Sequence, residues 1–475
     1  MVFSSIAFLF AFLPAVLWVY YISPRRLRNL FLLGASLFFY TWGGGALVLV
    51  LIGSIAFNYL LGARIERAVD EDRGSAARRY LGVAVAGNVG VLVFFKYTSF
   101  ATATLASWFE FVGIPDLPVL DILLPIGISF YTFQSISYVI DVYRGTARHL
   151  VNPVDFALYI ALFPQIIAGP IVRFHQIRDQ LLERTESSHR FARGITRFAH
   201  GLAKKVIIAD TVAPAVVEVF STPTAELNTA TAVFGIVAYA VQLYFDFSAY
   251  SDMAIGIGEM LGFRFPENFD RPYASRSVTE FWRRWHMSLS NWFRDYLYIP
   301  LGGNRGTELQ TYRNLVLVFV ATGLWHGADW TFLVWGCYHG VLLLVERRLE
   351  IGRDPSARAG VIAQARTVGL VLLGWVFFRS PDLHYAMGYF GALLNPAGWI
   401  LPEVTRALGT TGLIALAIGV ATVALPRTWV TGVRLELDPS PLAGALRFLV
   451  VTVALPVALI MAVSGTFSPF LYFRF

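Results

Sequence analysis

The sequence predicts an all-α polytopic membrane protein, and three observations carry that expectation. Of 475 residues, 56% are hydrophobic and only 15% charged, with a mean hydropathy of +0.59, a balance unlike that of a soluble globular chain. Apolar runs long enough to span or nearly span a bilayer recur at 3–21, 30–42, 46–61, 80–97, 122–140, 203–220, 230–250, 314–326, 329–346, 367–379, 410–426 and 446–463. The cations are segregated: segments 23–29, 62–79, 172–205, 264–313 and 347–366 hold 29 of the 38 Lys and Arg residues, and the order of the runs puts all five on one side.

Under the positive-inside rule that side is cytoplasmic and the N-terminus lies outside. The formal charge of +7 then follows from topology and attraction to anionic membrane lipid, and gives no warrant for nucleic-acid binding. The first run has its basic flank, Pro24-Arg-Arg-Leu-Arg28, after it, so a retained span is expected and not a removed signal peptide. Cys337 is the sole cysteine, which excludes an intrachain disulfide and leaves the fold to packing and hydrogen bonds.

Two segments depart from simple spans. Asp155 to Pro170 is apolar but carries Pro164, Gly169 and Pro170, so a kinked or re-entrant segment is expected, because irregular backbone at membrane depth needs protein or a cavity against it. Thr279 to Tyr298 reads as an amphipathic cytoplasmic helix, with Phe281, Trp282, Trp285, Leu289, Trp292, Phe293 and Tyr296 at spacings of three and four. Such a helix either lies on the membrane surface or also roofs a cavity, offering Arg283 and Arg284 to an anionic ligand and His286 to the interior.

The candidate chemistry centres on His326, in Ala321-Thr-Gly-Leu-Trp-His-Gly-Ala328. An imidazole titrates near neutrality and is costly in hydrocarbon, so it marks either a functional site or an interfacial histidine bonded to a carbonyl. Its company favours the first: His286 precedes it, and Gly323 and Gly327 permit close backbone approach. His339 reads as a packing histidine. Gln242, Asp246 and Tyr250 align four apart on one helical face, where carboxylates need partners. A Walker loop, a Rossmann glycine pattern, His-Glu-x-x-His and paired cysteines are all absent from the sequence. Those absences remove the usual support for an ATP-driven pump, a dinucleotide enzyme or a zinc protease, and no residue demands a metal. No internal repeat is visible, which weakens an inverted-repeat transporter.

Five motifs stand in order: Tyr244-Phe-Asp-Phe-Ser-Ala-Tyr-Ser-Asp-Met-Ala-Ile-Gly256, Glu267-Asn-Phe269, Thr279-Glu-Phe-Trp-Arg-Arg-Trp-His286, Tyr296-Leu-Tyr-Ile-Pro-Leu-Gly-Gly-Asn304 and Gly323-Leu-Trp-His-Gly327. In this order they resemble the membrane-bound O-acyltransferase (MBOAT) family, in its bacterial alginate O-acetylation branch. Pro125 to Phe133, Asp141 to Gly145 and Phe163 to Pro170 add to the likeness. The resemblance implies one membrane domain over 1–475, with a motif-rich core at about 120–350 and peripheral spans 1–119 and 351–475. It implies a ring of about 11–12 transmembrane or re-entrant helices around a tunnel.

It also implies that His326 is the catalytic base and His286 the second catalytic position. Trp282, Arg283, Arg284, Trp285, Asp246 and Trp325 are the candidates for substrate binding. No cofactor is expected to be bound; acetyl-CoA is the expected donor and an extracytoplasmic polysaccharide the acceptor. A periplasmic SGNH-type acetyltransferase is the expected partner, and the bacterial inner membrane the location. The alternatives are D-alanyl or other acyl transfer to teichoic acid, lipid or protein, or a polytopic polysaccharide transporter.

Overall fold

The computed structural model describes residues 1–114, 117–351, 357–424 and 440–465. Among the described residues every regular element is helical. Six helical stretches among the described residues are long and apolar enough to cross a membrane: Arg25–Asp70, Gly74–Phe111, Thr229–Met260, Gly360–Arg379, Pro402–Val423 and Pro441–Ser464. The protein is a multi-pass, all-α membrane protein, as its composition requires. The end of the predicted run 410–426, and residues 352–356 of the basic segment 347–366, lie outside the described residues.

The chain divides into two compact units, Met1–Gly194 with Ile257–Pro266, and Ile195–Gly256 with Glu267–Phe475. The first unit contains α1 (Phe8–Ile22), α2 (Arg25–Gly44), α3 (Val48–Asp70), α4 (Gly74–Phe111), α5 (Ile128–Tyr143), α6 (Pro153–Ala161), α7 (Phe163–Ile166) and α8 (Phe174–Leu182). Helices α3 and α4 are joined by a reciprocal amide pair: Asn58 Nδ2 donates to Asn88 Oδ1 at 3.0 Å, and Asn88 Nδ2 to Asn58 Oδ1 at 2.7 Å. Each amide satisfies the other, which is how a polar side chain is kept in an apolar bundle.

The run predicted from 122 becomes helical only at Ile128, because Gly127 sits at φ +71°. A Cβ there would lie 2.2 Å from the Ile166 carbonyl oxygen, so the close approach as well as the dihedral requires glycine. The break predicted within 155–170 is present. It falls at Leu162 (ψ 114°), and Pro164 occupies the first turn of α7, where its missing N–H costs no helix bond. The whole stretch from Leu158 to Val172 is buried, so this irregular backbone lies against protein.

The second unit contains α10 (Asp210–Ser221), α12 (Val278–Trp282), α13 (Met287–Phe293), α14 (Glu308–His326), α15 (Trp330–Arg348), α16 (Ala357–Arg379), α17 (Leu383–Ala392), α18 (Pro402–Ala424), α19 (Pro441–Leu449) and α20 (Leu455–Ser464). Helices α9 (Ser188–Ala203) and α11 (Thr229–Met260) run through the divisions of the chain at 194 and 256. The single amphipathic helix predicted over 279–298 is instead two short helices, α12 and α13. They are separated at His286, whose backbone is left-handed at φ 45°, ψ 53°. A 3.6-residue periodicity survives such a break, so the pattern alone did not reveal it. The aromatic residues of this segment, Phe281 to Tyr296, are buried within the unit and do not form an exposed stripe.

Helices α14 and α15 cross at glycines. A Cβ on Gly323 would lie 2.4 Å from the Phe332 carbonyl oxygen, and one on Gly336 would lie 2.4 Å from that of Phe319. Both obstacles are backbone, which cannot yield as a side chain can. Gly336→Leu is therefore expected to lower the melting temperature of the purified protein sharply, by more than the about 1–3 kcal/mol of ordinary overpacking. Gly369→Ala, at a helical position with nothing within 4 Å of the new Cβ, is expected to hold or raise it. Equal melting temperatures for the two variants would contradict backbone contact at the crossing.

Candidate active site

His326 is the last residue of α14, and the chain leaves the helix through Gly327 in extended conformation (φ −159°, ψ 156°). A Cβ on Gly327 would collide with the Phe332 ring at 2.1 Å, so the tight exit depends on glycine. Asp329 then starts α15 by accepting the Thr331 N–H at 2.8 Å. The imidazole of His326 is 4% exposed and packs edge-on against Trp335 (5.0 Å, 90°), Phe378 (5.2 Å, 79°) and Trp325 (5.0 Å, 77°).

His286, at the left-handed break, is fully buried. Its ring stands edge-on to Phe247 of α11 (4.7 Å, 87°) and to Trp325 (5.9 Å, 64°). Trp325 thus touches both imidazoles, and the two predicted catalytic positions, 40 residues apart in sequence, share one aromatic cluster. Burial pushes the His286 imidazole down to about 3, so the ring is neutral at physiological pH.

The tryptophans predicted beside the site divide. Trp282 packs on Trp335 and Phe319, and its indole N–H is directed at His339 Nδ1 at 3.4 Å. Trp285 lies among Trp375, Phe269 and Phe281, ring centroids 5.0, 5.1 and 5.5 Å away. His339 is fully buried in a cage of Trp282, Trp335 and Phe319, which fits its reading as a packing residue.

The arginines do not join the histidines. Arg283 is exposed, and Arg284 pairs with Glu280 one turn earlier at 2.6 Å. Asp246 is buried in an ion pair with Lys205 at 2.6 Å, and Lys205 also reaches Asp210 at 2.7 Å. Lys205, from the basic segment 172–205, is thus the partner that this carboxylate needs.

The motif Glu267-Asn-Phe269 carries no role legible in the sequence, and the structure supplies one. Arg197 binds Asp252 of α11 at 2.7 Å and Glu267 at 2.6 Å, fastening the 267–270 segment to that helix. Two backbone bonds, Met287 N–H to Asn268 O (2.8 Å) and Asp270 N–H to Arg284 O (2.9 Å), lash the same segment along the break at His286. From α15, the Glu346 carboxylate accepts the Val278 and Thr279 N–H groups at 2.6 and 2.8 Å and fixes the start of α12.

The structure thus brings two buried histidines, one at a helix end and one at a left-handed break, into one aromatic cluster of a polytopic helical protein. Comparison with known proteins gives the family. Residues 146–350 match the model of the MBOAT, membrane-bound O-acyltransferase family. The chain is 48% identical over 448 residues to the "Probable alginate O-acetylase AlgI" of Azotobacter vinelandii, covering 94% of this chain and 87% of that one. It is 37% identical to the peptidoglycan O-acetyltransferase of Helicobacter pylori, over 86% of this chain and 82% of that one. To the teichoic acid D-alanyltransferase of Bacillus subtilis it is 28% identical, over 57% and 72%. The chain belongs to the membrane-bound O-acyltransferase family, and it is an O-acyltransferase.

The Lys205–Asp246 ion pair yields a test. Lys205→Met leaves the Asp246 carboxylate buried without its cation, a change worth about 3–5 kcal/mol, and is expected to reduce the yield of folded protein strongly. Adding Asp246→Asn should restore most of it. A double variant no better folded than Lys205→Met would show that the pair is not what the lysine serves.

Proposed function

We propose that the protein moves an acetyl group from acetyl-CoA on the cytoplasmic side of a bacterial inner membrane to an extracytoplasmic polysaccharide, directly or through a periplasmic SGNH-type acetyltransferase. The observation that carries this reading is the burial of His326 and His286 around Trp325. The names of the most similar relatives, acting on alginate and peptidoglycan, support acetyl as the group and a polysaccharide as the acceptor. The lower identity to D-alanyltransferases argues against that cargo. The family's tunnel between the two faces is what lets donor and acceptor meet.

In this mechanism His326 takes the proton of the acceptor hydroxyl as its oxygen attacks the thioester carbonyl. The new C–O bond forms, the C–S bond breaks, and the imidazolium returns its proton to the departing thiolate as coenzyme A leaves. General-base catalysis of this kind contributes about 10²–10⁴-fold. Trp325, between the rings, fixes their spacing and excludes water. Exposed Arg283 and the cytoplasmic basic segments suit attraction of a polyanionic donor to the entrance, a longer-range role than contact with the reacting atoms.

The test uses the full-length protein in nanodiscs with labelled acetyl-CoA and the periplasmic partner, at matched folded amounts. His326→Ala and His326→Gln are both expected to lose about 10²-fold or more of the transfer rate, since glutamine keeps hydrogen bonding but cannot take the proton. Wild-type rates in either variant would remove His326 from the chemistry.

A further inference from the structure

Asn268 meets three consecutive residues at the break between α12 and α13. Its Oδ1 lies 3.1 Å from His286 Nδ1, 3.2 Å from the Ser288 backbone nitrogen and 2.8 Å from Ser288 Oγ, while its Nδ2 donates to Ser251 Oγ of α11 at 3.0 Å. These contacts determine where the protons are. A backbone N–H can only donate, so the side-chain atom of Asn268 beside Ser288 must be the oxygen and the amide cannot be flipped. Oxygen in that position can only accept, so His286 Nδ1 must carry a hydrogen. The neutral ring then has its lone pair on Nε2, and that atom is buried with no protein partner among the described residues.

We infer that Asn268 is a positioning residue that locks His286 as the Nδ1–H tautomer and turns the Nε2 lone pair toward substrate, so that His286 meets its ligand as a hydrogen-bond acceptor. The inference rests on the reading of this cluster as the acyl-transfer site. Its consequence is specific: the group that reaches His286 is a substrate O–H or N–H, and the neutral ring cannot donate to the developing oxyanion. The backbone is shaped to the same end. His286 holds a left-handed conformation that is strained for an L-residue, and two backbone bonds from the 268–270 segment hold it there. Ring contacts come from Phe247, Phe269 and Trp325, none of them charged, so the Asn268 oxygen is the polar partner that decides the tautomer. Burial of the ring, which keeps it neutral, preserves the lone pair across the working pH range.

Two measurements test this in the full-length protein in nanodiscs. The first is 15N NMR of histidine-labelled protein, with His286→Gln identifying the signal; it needs no turnover, so it stands even if the proposed reaction is wrong. Wild type should show one Nδ1–H neutral imidazole that is absent from His286→Gln, and Asn268→Ala should lose that signature. An Nε2–H signal for His286 in wild type would overturn the inference.

The second is the pH–rate profile of acetyl transfer. Asn268→Asp places an anion on Nδ1–H, which favours the imidazolium and raises the pKa of the ring. Its acidic limb should therefore move to higher pH, with activity lost at pH 6 and partly regained at pH 8. Asn268→Ala should lower kcat by about 10-fold or more at every pH, as a wrong tautomer does elsewhere. A rise in the KM for acetyl-CoA would assign the bond to an N–H of the donor arm; a fall in kcat, or a rise in KM for the acceptor, would assign it to the hydroxyl. Wild-type kcat, KM and pH profile in both folded variants would overturn the proposal.

Discussion

In a chain this apolar, a buried polar atom is costly to leave without a partner, and Asn268 answers several such atoms at once. One side chain and one carbonyl satisfy His286, Met287, Ser288 and Ser251 together. Each bond contributes about 0.5–1.5 kcal/mol net, but losing the shared partner strands several groups at once, each at about 1–3 kcal/mol. The left-handed turn at His286, the start of α13 and the seating of the 267–270 segment on α11 all follow from this node. Arg197 closes it from the other side by binding Asp252 and Glu267 together.

The two histidines are held by different physics. His286 is oriented by a hydrogen bond to a fixed acceptor. His326 is placed by a helix terminus and by ring edges, with glycines at 323, 327 and 336 bringing α14 and α15 close enough for Trp335 to reach it. An amide oxygen facing Nδ1 fixes the tautomer of the His286 ring, while the ring edges around His326 fix the plane in which its imidazole lies.

The fold class was legible because composition and apolar run length are properties of the chain itself. Hence α2, α3, α4, α11, α16, α18 and the pair α19–α20 lie where the runs fall. The break near Pro164 was legible for the same reason, since proline acts locally. The break at His286 was not: nothing in Trp282-Arg-Arg-Trp-His286 forbids helix, and its cause is a set of bonds to residues 268–270, which the sequence places 16 residues or more away. His326 and His286 were found because imidazoles are rare in apolar surroundings. Asn268 was passed over because an asparagine beside a glutamate reads as a polar turn until its partners are known. Arg283 and Arg284 were drawn toward the site by sequence proximity, yet a helical turn sends adjacent side chains to different faces, and Arg284 was already answered by Glu280.

The electrostatics of the cluster also limit what it can accept. Phe247, Phe269, Trp325, Trp335 and Phe378 pack around the imidazoles with apolar ring edges and faces, and the polar group facing His286 Nδ1 is a neutral amide. Such surroundings have little to offer a charged group in its ground state, the phosphates of a nucleotide carrier included. A thioester carbonyl and a sugar hydroxyl are both neutral, and charge appears only while the proton is in transit. A low-dielectric cage strengthens any interaction with that transient charge while it repels permanent ones. On the proposed reaction, the cluster would therefore meet only the neutral reacting ends of donor and acceptor and leave the charged remainder of each outside, the division of labour that a transfer across a membrane requires.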